Sequence, residues 1–184
     1  MRLAIVVLAL CSFVGCKHQG AISPQKEVIA KPTSPNFKLE GNWVPESDIL
    51  LPVSSNESVG IRKTDTGVYT VQFPDADGFN VEVRTTTLAQ HKDYAIAEAH
   101  ASSNDTSHFR FIGIICCRDD KLSVAWIESK NLAKLMHDEG CSAVIERSAF
   151  GTKVFAEPDD LLNCITKHPT DLVGKPATFT RKTK

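Results

Sequence analysis

The sequence predicts a mainly β domain: an antiparallel meander closed into a barrel, with two short α-helices in its C-terminal half. Three observations carry this expectation. From Leu39 onward, short runs of alternating apolar and polar residues follow one another, separated by turn residues, which is the pattern of half-buried strands. The runs succeed each other with short connections, and closing such a meander removes the sheet edges that would otherwise stay unpaired. Apolar residues fall at helical spacing only twice, both times late in the chain.

The elements follow in order. Residues 59–62 and 68–73 flank Thr64-Asp65-Thr66-Gly67, a turn. Phe73 and Phe79 flank Pro74-Asp75-Ala76-Asp77-Gly78, with Pro and Gly where a turn wants them. Residues 79–87 alternate, with Phe79, Val81 and Val83 on one face and Asn80, Glu82 and Arg84 on the other. Residues 94–99 alternate too, setting Tyr94, Ile96 and Glu98 against alanines. So small a face predicts a close neighbour there, such as a helix; Glu98, flanked by alanines, is read at the surface in preference to a buried, perturbed position. Residues 109–117 are the most apolar strand. Phe109, Phe111, Gly113, Ile115 and Cys117 share one face; Ile112, Ile114 and Cys116 make the other apolar as well. Both faces are therefore expected to be covered. Arg118-Asp119-Asp120-Lys121 is a hairpin turn, and residues 122–127 return with Leu122, Val124 and Trp126 on one side.

Ser129 is placed to cap a helix over 130–139, where Leu132, Leu135 and Met136 repeat at helical spacing and Gly140 stops it. Glu157-Pro158-Asp159-Asp160 opens a second helix, with Pro in the first turn and acids beside the positive end of the dipole. Leu161, Leu162 and Ile165 form its apolar face, and Pro169 ends it. Strands over 141–146 and 152–156 lie between the helices, and 177–181 closes the sheet. The expected total is eight to ten strands, with no internal repeat.

Leu39-Glu40-Gly41-Asn42-Trp43 resembles the Gly-x-Trp opening of the calycin (lipocalin-like) barrels, in which the Trp packs across the narrow end. The later course resembles a group of uncharacterised bacterial lipocalin-like lipoproteins. The pieces that carry this are His108-Phe109-Arg110-Phe111, Arg118-Asp119-Asp120-Lys121, the helical residues 131–136, and Glu157-Pro158-Asp159-Asp160-Leu161-Leu162. The resemblance spans residues 39–182. It implies a lipocalin-like barrel and, by analogy of fold, a small apolar or amphiphilic ligand. Two late helices are more than a simple lipocalin carries.

The N-terminus reads as an address. Met1-Arg2 supplies a positive start, residues 3–14 are apolar apart from Ser12, and Gly15 and Cys16 follow. The apolar run is short of the roughly 20 residues a spanning helix needs. Ordinary secretory cleavage before Cys16 would put the large Phe13 where a small residue belongs. Phe13-Val14-Gly15-Cys16 instead resembles the lipobox of bacterial lipoproteins, with Phe13 where Leu is usual; Cys11 is a poor rival because Leu10 precedes it. Acylation needs a thiol, whose thiolate is the nucleophile, and two long chains hold where one does not. The expected division is a signal peptide over 1–15, a lipidated N-terminus and flexible tether over 16–36, and a single domain over 37–184. The tether follows from Pro24, Pro32, Pro35, the lysines, and the lack of periodicity. By resemblance, Lys17 after the acylated Cys points to the outer membrane, facing the periplasm.

The formal net charge is −1, one unit more negative without Arg2. That argues against a nucleic-acid partner, which needs a basic stripe, and against electrostatic binding to anionic lipid. The hydrophobic fraction, 42%, suits a globular core. Besides Cys16 the body holds Cys116, Cys117, Cys141 and Cys164. An exported compartment permits disulfides, and neighbours in sequence rarely pair. Either Cys116 or Cys117 is thus a candidate to join Cys141 or Cys164, buried thiols being the alternative. The six histidines and these cysteines show neither a Cys-x-x-Cys nor a His-x-x-x-His spacing, so no metal site is expected. No Gly-x-Ser-x-Gly elbow and no glycine-rich phosphate loop occurs, and no enzyme activity or cofactor is expected. Trp43, Phe109, Phe111 and Trp126 are the candidates for core or ligand-facing positions. His108 and Arg110 share a strand face away from Phe109 and Phe111, read as an outer rim pair in preference to the polar floor of a ligand site. The expectation is a membrane-anchored envelope protein that binds a small apolar ligand without catalysis. The alternative is an envelope interaction or scaffold protein.

Overall fold

The structure is a computed structural model and describes residues 22–46, 57–74, 79–103, 108–138, 143–148 and 151–182. The expected signal peptide, Cys16 and Cys141 lie outside the described residues. Eight strands close a barrel in which every pairing is antiparallel: β2 (Gly41–Pro45), β3 (Val59–Lys63), β4 (Tyr69–Gln72), β5 (Phe79–Thr87), β6 (Tyr94–Ser103), β7 (His108–Arg118), β8 (Lys121–Trp126) and β11 (Ala177–Arg181). Consecutive strands pair, and β11 joins β8 to β2. This is the lipocalin-like meander barrel the sequence predicts, with two short helices in the C-terminal half.

The alternation of side chains sets what lies inside. Val81 and Val83 of β5, Phe111 and Ile115 of β7, and Leu122, Val124 and Trp126 of β8 face the interior. The β7–β8 turn is a two-residue hairpin in which Asp119 and Asp120 take φ of +50° and +58°. Left-handed residues at both positions match the twist of the flanking strands, and Asp tolerates that region better than most residues. In the β3–β4 turn Gly67 takes φ +79°, and its N–H donates to the Thr64 carbonyl at 3.0 Å.

A second core covers the outside of β6, β7 and β8. Helices α1 (Ser129–Asp138) and α2 (Pro158–Lys167) bury Leu132, Met136, Leu161, Cys164 and Ile165 against Ile96, Ile112, Ile114 and Ile127. Both faces of β7 are thus covered, as its sequence predicts. The neighbour expected on the alanine side of β6 is a correction: Ala95, Ala97, Ala99 and Ala101 face the barrel interior, and the helical layer packs on the Ile96 side. The two strands between the helices are β9 (Val144–Ser148) and β10 (Gly151–Phe155). With β1 (Ile22–Pro24) they form a separate sheet in the order β1-β10-β9, outside the barrel.

The tether expected over 16–36 is corrected from residue 22 onward. Ile22–Pro24 forms β1, paired in parallel with β10. Val28 and Ile29 are buried in the outer core. Farther on, the Thr33 N–H donates to the Thr85 carbonyl at 2.7 Å, and Pro35, Phe37 and Leu39 run into the closed end of the barrel. Composition shows few large apolar residues here, but Val28 and Ile29 suffice because a partner far along the chain satisfies their backbone. That partner is Glu98, 1% exposed, which corrects its expected surface position. Its carboxylate accepts the Val28 N–H at 3.0 Å and the Ile29 N–H at 2.7 Å. The Arg110 Nε lies 3.2 Å from Oε1. A buried carboxylate is tolerated only when paired and hydrogen-bonded in this way.

Candidate ligand-binding cavity

The barrel encloses an apolar cavity of about 150 Å³ to which every barrel strand contributes. Three features make it. The inward face of β6 is lined by alanines, of which Ala97, Ala99 and Ala101 border the space; side chains that stop at Cβ leave the middle of the barrel unfilled. Gly113 on β7 lies opposite Trp126, where an added Cβ would come within 3.0 Å of the indole and 2.6 Å of the Ala125 carbonyl oxygen. The glycine lets the ring lie flat against the wall. Phe111 then meets Trp126 at 6.0 Å between ring centroids, tilted by 57°. Every described residue lining the cavity is apolar, so these walls recognise shape and hydrophobic surface.

One end is closed by a cluster built on Trp43, whose side chain is fully buried. Its Nε1–H donates to the Leu39 carbonyl at 2.9 Å. The Arg181 guanidinium, from the last strand, sits 4.2 Å above the indole ring, a cation–π geometry. Arg181 also donates through Nε to Asp120 at 2.8 Å and through Nη2 to the Lys38 carbonyl at 2.6 Å, tying the first strand, the last strand and the β7–β8 turn together. Gly41 is required here twice over. Its φ is +150°, and an added Cβ would lie 2.5 Å from Arg181 Nη1. Tyr69 is buried beside this cluster; burial pushes its phenol above the ordinary range, partly offset by a hydrogen bond with Ser34.

By strand direction, the β3–β4, β5–β6 and β7–β8 turns lie at this closed end. The β2–β3, β4–β5 and β6–β7 connections leave at the other, the mouth. Phe73, Val81, Ala101, Phe111 and Trp126 line the mouth half of the cavity.

Trp43, Phe111 and Trp126 all reach the interior, Trp43 as the plug and the other two as wall. The readings on the side chains of Phe109 and His108 lie outside what the structure describes; both residues belong to β7. Arg110 faces outward onto Glu98 and has no part in the cavity, in keeping with an outer position. Of the two readings of these cysteines, the disulfide from Cys116 or Cys117 to Cys164 is not formed, and all three are thiols. The reason is placement. Cys116 points to the outer face of β7, Cys117 packs against the closed-end cluster, and Cys164 is buried in the outer core. Burial pushes the Cys116 and Cys117 thiols up, Cys117 despite the nearby Arg181, which makes both poor nucleophiles. Among the described residues no three His, Cys, Asp or Glu converge as a metal site, and no helix is long and apolar enough to cross a membrane. Sequence reasoning missed the Glu98 clamp. Its only local signal was a carboxylate flanked by alanines in an otherwise apolar strand.

No protein-family model matches the chain, and neither a curated protein nor a solved structure matches it. Fold and cavity thus define a lipocalin-like barrel with a small hollow, apolar at its described walls and plugged at one end.

Proposed function

We propose that the chain is a lipid-anchored cell-envelope protein whose barrel holds a small apolar or amphiphilic ligand. The observation that carries this reading is the cavity: apolar at every described residue that lines it and about 150 Å³ in volume. An apolar hollow of roughly this size stays dry and takes up small apolar molecules. Sites for drug-sized ligands are larger, roughly 300–1,000 Å³, so the part that enters is slender or small. The anchor rests on Phe13-Val14-Gly15-Cys16, which makes Cys16 the acylated residue and the membrane, outer by resemblance, the partner of the acyl chains.

The test is native mass spectrometry of the protein after mild extraction, beside an Ala99→Leu variant. Ala99 lines the cavity, and a leucine there fills it without adding a polar atom. The wild type is expected to carry a bound apolar molecule, and the variant to lose it while keeping its melting temperature within a few degrees. A wild type free of any ligand, and indifferent to added fatty acids, would sink the reading.

One observation favours the alternative, an envelope protein that engages another protein. Val144 and Phe155, 58% and 42% exposed, are cross-strand partners on β9 and β10. Crosslinking in intact cells would recover a partner from wild type and lose it in a Val144→Asp, Phe155→Asp double variant.

A further inference from the structure

We infer that the barrel mouth faces the bilayer and that the cavity is loaded with a single apolar chain taken from the membrane, not from water. The inference rests on the proposed anchor and binding function and adds the source of the ligand and the route it takes. It comes from where the N-terminal segment enters the body. The Gln25 carbonyl accepts a hydrogen bond from Arg110 Nη1 at 3.4 Å, near the start of β7, where that strand leaves the mouth. Three residues on, Val28 and Ile29 sit on Glu98. Glu98 pairs with Ile112, one step farther from the mouth along β7. Thr33 then reaches Thr85 and Thr87 near the end of β5, at the closed end. The segment therefore descends from mouth to floor, and its first described residues, Ile22–Pro24, lie at the mouth end.

The descent is held along its length. Glu27 pairs with Arg84, Lys26 with Glu157 at 2.7 Å, and Glu98 takes two backbone N–H groups in a buried site. Only five residues, Lys17 to Ala21, separate Ile22 from Cys16 in the sequence. Fully extended, that stretch spans at most about 20 Å. An acyl group on Cys16 thus keeps the mouth end of a barrel within about 20 Å of the headgroups, while the plugged end, with Trp43 and Arg181, points away. A cavity whose described walls are apolar, with its mouth end held toward a bilayer, is matched to a guest already dissolved there. The volume holds only the end of one chain and leaves the rest, with its polar head, outside.

The experiment uses the full chain, expressed with its lipid and reconstituted in phosphatidylethanolamine–phosphatidylglycerol vesicles preloaded with cis-parinaric acid. Energy transfer from Trp126 and Trp43 to the probe reports uptake. A second form carries a 30-residue Gly/Ser insertion after Gly20, which frees the mouth from the surface. A third, Cys16→Ser, receives the probe from water. Uptake from vesicles is expected to be at least tenfold faster for wild type than for the insertion form, with equal saturation of all three by water-delivered probe. Equal vesicle rates for wild type and insertion form would overturn the orientation and leave the binding function standing. No uptake by the Cys16→Ser form from water would overturn the binding function, and the loading route with it. An unmodified Cys16 by mass would overturn the anchor.

Discussion

Gly41 shows how one atom can be forbidden. An added methyl would meet Arg181 Nη1, and the backbone at φ +150° is one that L side chains rarely adopt. Gly41→Ala is expected to lower stability by about 1–3 kcal/mol, read as a shift of the urea midpoint, and to loosen the Arg181–Trp43 stack, read as a red-shifted tryptophan emission. Tyr69 makes a prediction in pH. Its phenol is pushed above its ordinary value of 10.0 by burial, so the folded state favours the protonated form. Its contribution is fully present below pH 10 and is lost as pH rises through the raised value. Urea midpoints measured upward from pH 9 should therefore fall, and a Tyr69→Phe variant should fall less. The thiols of Cys116 and Cys117, raised from 9.0, act in the same direction and leave a residual slope in that variant. Gly41 and Trp43 were legible in the sequence because a glycine and an indole two apart are a local signal. Arg181 was not, since nothing local says that a terminal arginine lies over a ring 138 residues upstream.

At the scale of elements, alternation was a sound guide to which faces point inward. It could not say what covers the outward faces. Val81 and Val83 were placed together by period alone, and the cavity has both. The alanines of β6 were read as a landing for a helix, because small residues allow close approach. The same property, turned inward, leaves a hollow, and period cannot distinguish the two. The hairpin at Asp119-Asp120 was legible because polar residues break two apolar runs there. Its two left-handed residues make a prediction: Asp119→Val, β-branched and poorly suited to positive φ, should cost about 1–2 kcal/mol. Asp119→Gly should be neutral or slightly stabilising by the same equilibrium unfolding measurement. The sequence predicts a helix over 130–139 capped by Ser129. Ser129 is instead the first helical residue of α1, with the Glu128 carbonyl accepting the Leu132 N–H at 3.0 Å, a difference within the ordinary fraying of helix ends.

At the scale of the molecule, what sequence could not show is everything that joins distant stretches. The pairing of β1 with β10 links Ile22 to Thr152, and the clamp links Glu98 to residues 70 and 69 positions away. Composition alone makes the stretch before residue 37 look like a tether, since prolines and lysines recur and its two buried aliphatic residues, Val28 and Ile29, are adjacent rather than periodic. Its order comes from Glu98. Glu98→Ala removes the acceptors of two buried N–H groups and the partner of Arg110, and an unsatisfied buried donor costs about 1–3 kcal/mol. The variant should lose about 2–4 kcal/mol of stability. Amide exchange over residues 22–34 should rise well before that of β6 and β7. Uniform exchange across the chain would mean that the segment is held by something other than the carboxylate.

Among the described residues, the helical layer and the small sheet pack over β6, β7 and β8, and the outer core takes no residue from β3 or β4. One side of the cylinder is therefore two plies thick and the other a single ply. A wall backed by a second core resists bending, whereas an unbacked one yields at the expense of fewer contacts. Should a guest be bulkier than the present hollow, the barrel would swell toward β3 and β4, and its selectivity for girth would be set by how far those two short strands can give.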